Sequence, residues 1–190
     1  MDPARELFRT HRFVEGDTID VGTVFPSPRG LQPITFSFDF AVTGASPNGL
    51  FFELGTTARG CAAWYDNASG EFGVCAGAGT ASADNGVSAT RALDITLNRI
   101  YRVSFATSPG DGTIRAWLDG ELVLAAQSVN SGFGGDWTGA FGGKVGGPNS
   151  TVTDRVPAGA RVSLVDLALV SPFAVYANQR PRQYYTGRLG

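Results

Sequence analysis

Acidic side chains are the first residues in this sequence that could do chemistry. A retaining glycosidase needs two carboxyl groups about 5 Å apart on one face. Asp119 and Glu121 are close together, but Asp119 and Gly120 separate two apolar runs, where a tight turn needs residues that tolerate positive φ. Glu53 and Glu71 have no second acid beside them in the sequence. We therefore expect strand and turn roles for these acids, no catalytic residues and no enzyme activity.

Residues that could hold a metal or act as a nucleophile are few. The sequence has two cysteines and one histidine, His11; a structural zinc site takes four such ligands. A Ser–His–Asp arrangement built on His11 is not indicated. Asp84, Asn85 and Asp136 carry oxygens that calcium accepts, but they form no ordered ligand loop and suit turns. We expect no metal and no cofactor.

The two cysteines flank a predicted hairpin, CAAWYDNASGEFGVC. If Tyr65 pairs with Glu71, Cys61 lies opposite Cys75, and a cross-strand disulfide fits that geometry. A loop of two or four residues shifts the pairing by one and breaks the match. A reducing cytoplasm favours two free thiols. From the residues alone both states stay open.

Exposed aromatic rings beside polar groups are the remaining candidates for a binding site, since such rings offer large contact area to a carbohydrate. The candidate ligand-binding residues are Tyr65, Phe133 and Trp137. Trp64 and Trp117 are expected in the core instead. The hairpin residues expected on its core side are Ala62, Trp64, Phe72 and Val74, with Ala63, Tyr65, Glu71 and Gly73 on the other side.

Alternation of apolar and polar residues predicts the strands that position these side chains. The clearest is Ile34–Val42, with Ile34 and three phenylalanines on one face and Thr, Ser and Asp on the other. Asp119-Gly120 predicts a two-residue hairpin turn. Residues 76–90 are expected to form a surface loop, followed by a short strand at Ala92–Leu97. Other predicted strands are Leu50–Leu54, Ile100–Thr107, Thr113–Leu118, Glu121–Gln127 and Arg161–Val170.

Nine to eleven short strands with turns between them, and no alternation of helices and strands, are typical of an antiparallel β-sandwich. We expect an all-β fold with one sandwich domain at residues 18–171. Residues 1–17 are expected to form an N-terminal arm and residues 172–190 a C-terminal arm. No apolar run reaches the roughly 20 residues of a membrane-spanning helix. The start, MDPARELFRTHRF, has no apolar region typical of a signal peptide.

The charge is divided between the ends of the chain and its middle. Residues 1–12 and 178–190 carry six arginines against two acids, a net of +4, and the rest carries nine basic and fifteen acidic residues, a net of −6. The total of −2 excludes a globally basic nucleic-acid-binding protein. Basic ends on an acidic body suit contacts with another copy or an acidic partner, and simple solvation is the alternative. The residues assigned to these arm contacts are Arg5, Arg9, Arg12, Arg180, Arg182, Tyr184, Tyr185 and Arg188.

The run from Tyr101 to Phe105, the run from Gly112 to Val123 with its Asp119-Gly120 turn, and the late strand Val162–Val170 resemble laminin-G-like domains of the concanavalin A-like lectin/glucanase superfamily. The resemblance covers about residues 18–170. It implies a jelly-roll sandwich, and it leaves the function open because this fold carries lectins, glycosidases, adhesion modules and virion proteins. The catalytic strand of the family's glycosidases, Glu-x-Asp-x-(x)-Glu, does not occur here.

The main functional hypothesis from these observations is a non-catalytic structural protein of a virus or bacteriophage particle. It would decorate the capsid or belong to the tail, associate with itself and dock on other virion proteins, such as a major capsid protein, through its arms. It would be made in the host cytoplasm. The alternative is a carbohydrate-binding or receptor-binding module with a glycan as its partner, and a divergent glycoside hydrolase is a third hypothesis. Neither nucleic acid nor a membrane is an expected partner.

Overall fold

The computed structural model is an all-β protein of two antiparallel sheets. It describes residues 18–20, 33–55, 59–78, 87–108, 111–128, 142–169 and 174–177. These ranges contain twelve strands, a short 3₁₀ helix at Ala158–Ala160 and no α-helix. No helix within them is long and apolar enough to cross a membrane.

The strands of the described ranges divide into two stacked sheets. In spatial order, sheet A contains β1 (Ile19–Asp20), β10 (Gly142–Val145), β3 (Gly49–Gly55), β4 (Arg59–Asp66), β5 (Glu71–Ala78) and β6 (Val87–Ala92). Sheet B contains β11 (Leu167–Leu169), β2 (Ile34–Val42), β7 (Ile100–Ser108), β8 (Thr113–Leu118) and β9 (Glu121–Gln127), and β12 (Ala174–Ala177) pairs with the first half of β2 beside β11. The prediction of an antiparallel jelly-roll β-sandwich is confirmed.

Phenylalanine rings fill the space between the sheets. Phe36 of β2 stacks on Phe52 of β3, and Phe40 packs against Phe51 with tilted rings, each pair with ring centroids 4.8 Å apart. The alternation predicted for β2 is confirmed, because its three phenylalanines are buried. In β3 the pairing with β4 shifts between Leu50 and Phe52. This bulge lets the consecutive residues Phe51 and Phe52 both enter the main core.

The hairpin of β4 and β5 has a register one residue away from the one that aligns the cysteines. Asp66 pairs with Glu71 across a four-residue turn, and Tyr65 therefore pairs with Phe72. Cys61 belongs to the main core, whereas Cys75 lies on the opposite face of sheet A, so both thiols are free and buried. Burial raises the pKa of both thiols well above the usual value.

This register also corrects the predicted faces of the hairpin. A slip of one residue moves a side chain to the other side of a sheet. Phe72 and Val74 face the main core, as expected, but their neighbours there are Ala63 and Tyr65. The two residues expected beside them, Ala62 and Trp64, lie on the outer face of sheet A.

Two predicted elements near β5 and one near the end of the sandwich differ from the structure. Residues 87–90, expected in a loop, belong to β6, which spans Val87–Ala92 and pairs with β5. Residues 93–97, expected in a strand, are irregular. Of the predicted strand at residues 161–170, only Leu167–Leu169 is a strand. Small residues such as those of β6 carry little alternation, and pairing with a neighbouring strand decides their conformation.

The predicted arms lie almost entirely outside the described residues. The exception is β12, which falls within the segment predicted as the C-terminal arm and pairs with residues 34–37 of β2. The arm residues assigned to assembly contacts are not among those described, and the boundaries at residues 17 and 171 stay predictions.

The outer face of sheet A is covered by residues 146–166, which we call the covering segment. Val152, Val156 and Ala160 of this segment pack on a second apolar cluster formed by sheet A. The indole of Trp64 lies over Gly73, its direct partner on β5. The sheet residues of this cluster are Leu50, Ala62, Trp64 and Cys75.

A buried carboxyl group holds the covering segment to β3. Glu53 is 1% exposed, and its Oε1 accepts a hydrogen bond from the backbone N–H of Thr153 at 3.1 Å. The amide of Asn149 donates to the Glu53 carbonyl at 3.4 Å. Burial raises the pKa of Glu53, because desolvation outweighs these hydrogen bonds and the more distant charge of Arg161.

A first prediction concerns the contact between Trp64 and Gly73. A Cβ atom at residue 73 would overlap the indole ring of Trp64, so Gly73→Ala should lower the free energy of unfolding by about 1–3 kcal/mol, the usual cost of overpacking. Urea denaturation measures this. Thr90→Ala is the control, because Thr90 is the exposed partner of Gly73 on β6. Equal stability of the two variants would contradict the packing described.

A second prediction concerns the charge on Glu53. The pKa of Glu53 is raised in the folded state. The contribution of protonated Glu53 to the free energy of unfolding is therefore fully present below the ordinary pKa of 4.5, and it is lost as the pH rises through the raised pKa. Glu53→Gln keeps an acceptor for Thr153 and removes the charge. We expect the variant to be more stable than the natural chain at about pH 7, with the gain vanishing at about pH 4.

Urea denaturation across this pH range measures the effect of Glu53→Gln. Glu121→Gln, which removes an exposed acid of β9, controls for the change in net charge. If the variant were less stable than the natural chain at neutral pH, the charged form of Glu53 would stabilise the contact with the covering segment, and the prediction would be wrong.

Candidate functional site

The outer face of sheet B carries the aromatic and polar side chains that could bind a ligand. Strand alternation turns Ile114, Ala116 and Leu124 into the core and leaves the intervening residues of β7, β8 and β9 on the other side. The described residues on this outer face include a tryptophan, two serines, two arginines and an aspartate: Ser37, Asp39, Arg102, Ser104, Arg115 and Trp117.

Trp117 lies on β8, one strand in from the edge strand β9. It pairs with Ser104 of β7 on one side and with Leu122 of β9 on the other. Its ring is partly exposed, and Leu122 is 51% exposed. The Oγ atoms of Ser104 and Ser37 lie 3.2 Å apart in a hydrogen bond. One row across four strands therefore presents two hydroxyls, an indole and a leucine, with neighbouring strands about 4.8 Å apart.

An ion pair occupies the next row of the same face. Arg102 Nε donates to Asp39 Oδ1 at 2.9 Å, and Nη2 donates to Oδ2 at 3.0 Å. The arginine side chain is 73% exposed, whereas that of Asp39 is only 13% exposed. This two-point contact fixes the plane of the guanidinium at the surface. A second arginine, Arg115, lies two residues before Trp117 and is exposed.

The turn between β8 and β9 is structural. Asp119 and Gly120 have φ values of 52° and 88°, which confirms the predicted turn with positive φ at both residues. Asp119 Oδ1 accepts from the backbone N–H of Arg102 at 2.9 Å, and Oδ2 accepts from Arg99 Nη2 at 2.8 Å. Both carboxylate oxygens of Asp119 thus stabilise the turn.

Among the other acids, Asp66 and Glu71 are cross-strand partners at the hairpin turn, a proximity that the sequence analysis missed. Asp66 Oδ2 accepts from the Ser69 hydroxyl at 2.7 Å, which favours a turn-stabilising role. Within the ranges that the structure describes, no three metal-ligating side chains come together. The loop oxygens considered for calcium, Asp84 and Asp136 among them, lie outside those ranges, as does Asn85.

The three ligand-binding residues expected from the sequence have different outcomes. Tyr65 was expected on an exposed face, and this is wrong, since it is 4% exposed and packs in the main core. Burial is the main cause that raises the pKa of its phenol, and nearby Asp94 adds to it. The hydroxyl donates to the Leu93 carbonyl at 3.4 Å. Phe133 and Trp137 lie outside the described residues, so their role stays a prediction.

Trp117 was expected in the core, and this is also wrong. The signal that could have placed it correctly is its spacing from Arg115 and Thr113. These three residues alternate with Ile114, Ala116 and Leu118, and a strand cannot bury both sets against one core. A tryptophan in register with an arginine is therefore an outward residue.

No protein-family model matches the sequence, and no curated protein matches it significantly. Among solved structures, the chain is similar to the CBM40 of the Ruminococcus gnavus IT-sialidase. The TM-score is 0.57 at 14% identity, over 87% of this chain and 90% of that one. The same CBM40 bound to α2,3-sialyllactose aligns with a TM-score of 0.56 at 15% identity, over 86% and 89% of the two chains.

Two larger sialidases contain a similar region. NanB sialidase from Streptococcus pneumoniae (the K499G mutant) aligns with a TM-score of 0.57 at 12% identity over 87% of this chain, and the leech intramolecular trans-sialidase with 0.52 at 15% over 85%. The chain spans 25% of the length of each. At these identities the likeness establishes the fold, and the chain shares its jelly-roll sandwich with carbohydrate-binding modules.

Proposed function

We propose that this protein is a non-catalytic carbohydrate-binding module whose binding site is the outer face of sheet B. The observation that carries the proposal is the partly exposed Trp117, which lies in one cross-strand row with Ser104 and Ser37, next to the row that holds the fixed guanidinium of Arg102. An aromatic ring gives a sugar a flat apolar surface, and the polar groups around it give its hydroxyls hydrogen-bond partners.

The covering segment supports the choice of sheet B over sheet A. Its packing buries Trp64 to 1% exposure and Cys75 completely, so a sugar could reach the centre of sheet A only by displacing that segment. The outer face of sheet B keeps its tryptophan accessible to solvent. The solved structures with the same fold also favour a binding role, since one of them is a carbohydrate-binding module bound to sialyllactose.

A catalytic function receives less support from the described residues. Asp66 and Asp119 stabilise turns, Glu53 is buried, and the charge of Asp39 pairs with Arg102. A retaining glycosidase needs two carboxyl groups flanking the scissile bond of a bound substrate. We therefore propose that the module has no catalytic activity of its own.

The solved structures described above, a carbohydrate-binding module and two sialidases, give no support to the virion hypothesis. A capsid or tail location, self-association, contacts with other virion proteins and synthesis in a host cytoplasm all remain untested proposals. They depend on arm residues outside the described ranges. A glycan-binding module can also belong to a larger assembly, so the two hypotheses are compatible.

The test is binding of the full chain to an array of immobilised oligosaccharides, followed by calorimetry on the strongest ligand. Trp117→Ala should weaken binding at least about tenfold, or roughly 1.4 kcal/mol, because it removes the stacking surface. Leu97→Ala is the matched control, since Leu97 is a large apolar residue that is 52% exposed outside the strands.

Trp137→Ala tests the other aromatic candidate in the same assay. Loss of binding in Trp117→Ala alone supports the outer face of sheet B. Loss in Trp137→Ala alone would move the site to the segment at residues 130–141. An array without any specific ligand would refute the carbohydrate-binding function itself.

A further inference from the structure

The charges on the outer face of sheet B differ in sign from those of the whole chain. The protein has a formal net charge of −2. Among the described residues of β2, β7, β8 and β9, the charged side chains on this face are Arg102, Arg115 and Asp39, a net of +1. The one acid is the least exposed of the three. A ligand approaching this face therefore meets two guanidinium groups.

The two arginines flank the tryptophan. Arg115 lies two residues before Trp117 on the same strand, about 7 Å away along β8. Arg102 lies two residues before Ser104, the direct partner of Trp117 on β7. A sugar ring stacked on Trp117 would therefore have a cation near each end of the platform.

Asp39 gives Arg102 a fixed orientation. A long exposed arginine normally loses much side-chain freedom when it binds a ligand, and that loss opposes binding. The bidentate contact with Asp39 holds the guanidinium at 2.9 and 3.0 Å in the free protein. Such a preorganised planar cation is suited to carboxylate and sulfate groups, whose oxygens match its geometry.

We propose that the carbohydrate bound at this site carries an anionic group, a carboxylate or a sulfate, and that Arg102 determines the preference for it. This inference rests on the proposed function of the same face. Asp39 acts as the positioning residue for Arg102, and Arg115 adds to the positive potential. A neutral sugar can still stack on Trp117 and accept a hydrogen bond from Arg102, but it lacks the charge-assisted contact that an anionic group makes.

The experiment compares lactose, 3′-sialyllactose and 3′-sulfolactose with the full chain by calorimetry. We expect at least one charged sugar to bind about tenfold more tightly than lactose, as for a charge-assisted hydrogen bond. The charged sugar that gains affinity identifies the source of the anion. Arg102→Gln should remove the preference, because it weakens the binding of the charged sugar more than that of lactose, and raising the salt concentration should weaken mainly the charged ligand.

Two further variants keep the test decisive if Arg102→Gln destabilises the fold by breaking the ion pair with the buried Asp39. The double variant Asp39→Asn/Arg102→Gln removes both charges and should again abolish the preference. Arg115→Gln leaves the ion pair intact and should reduce the preference only in part. Equal affinity for all three sugars, or a preference that survives the double variant, would overturn the inference.

These outcomes are separate from those of the proposed function. If all three sugars bind equally and Trp117→Ala abolishes their binding, the proposed carbohydrate-binding function is confirmed and the inference of an anionic ligand is wrong. If none of the three sugars nor any glycan on the array binds, both proposals fail.

Discussion

The stack of phenylalanine rings between the two sheets determines which side chains reach solvent. Phe36, Phe38 and Phe40 commit one face of β2 to the core, and the strand period of two then commits Ser37 and Asp39 to the other. Because β7 pairs with β2 and β8 pairs with β7, the residues in register with Ser37 and Asp39 lie on the same outer face, and these include Ser104, Arg102 and Trp117. The candidate site is thus a consequence of core packing, and any slip in register would dismantle it.

The sequence predicted strands and turns well where the alternation of apolar and polar residues was strong. It predicted the faces of side chains poorly where these depend on the register between strands. The phenylalanines of β2 and the Asp119-Gly120 turn have local signals, so their conformations were predictable. The register of the β4–β5 hairpin depends on the length of its loop, which is five residues if Tyr65 pairs with Glu71 and four residues in the structure, and no local signal distinguishes the two. The one-residue difference reversed the expected positions of Trp64 and Tyr65. β6 was missed because its small residues acquire strand conformation from β5.

The candidate site was missed for a different reason. Strand alternation was used to predict Trp117 as a core residue, but the same alternation places it on the face of Arg115 and opposite Ala116. The ion pair between Asp39 and Arg102 joins residues 63 positions apart. Long-range pairs of this kind require the strand order and register, which a single sequence does not supply. The two sheets also differ in a way that only the fold reveals, since residues 146–166 cover sheet A.

The measurement that tests the central claim most directly is a titration of the ¹⁵N-labelled protein with its strongest array ligand, followed by amide and indole chemical shifts. If the ligand binds to the outer face of sheet B, the shifts concentrate on the Trp117 indole N–H and on the amides around Ser37, Arg102 and Ser104, while the amides of β4, β5 and residues 146–166 stay unchanged. Shifts confined to the covering segment and the strands beneath it would place the ligand on sheet A and contradict the account.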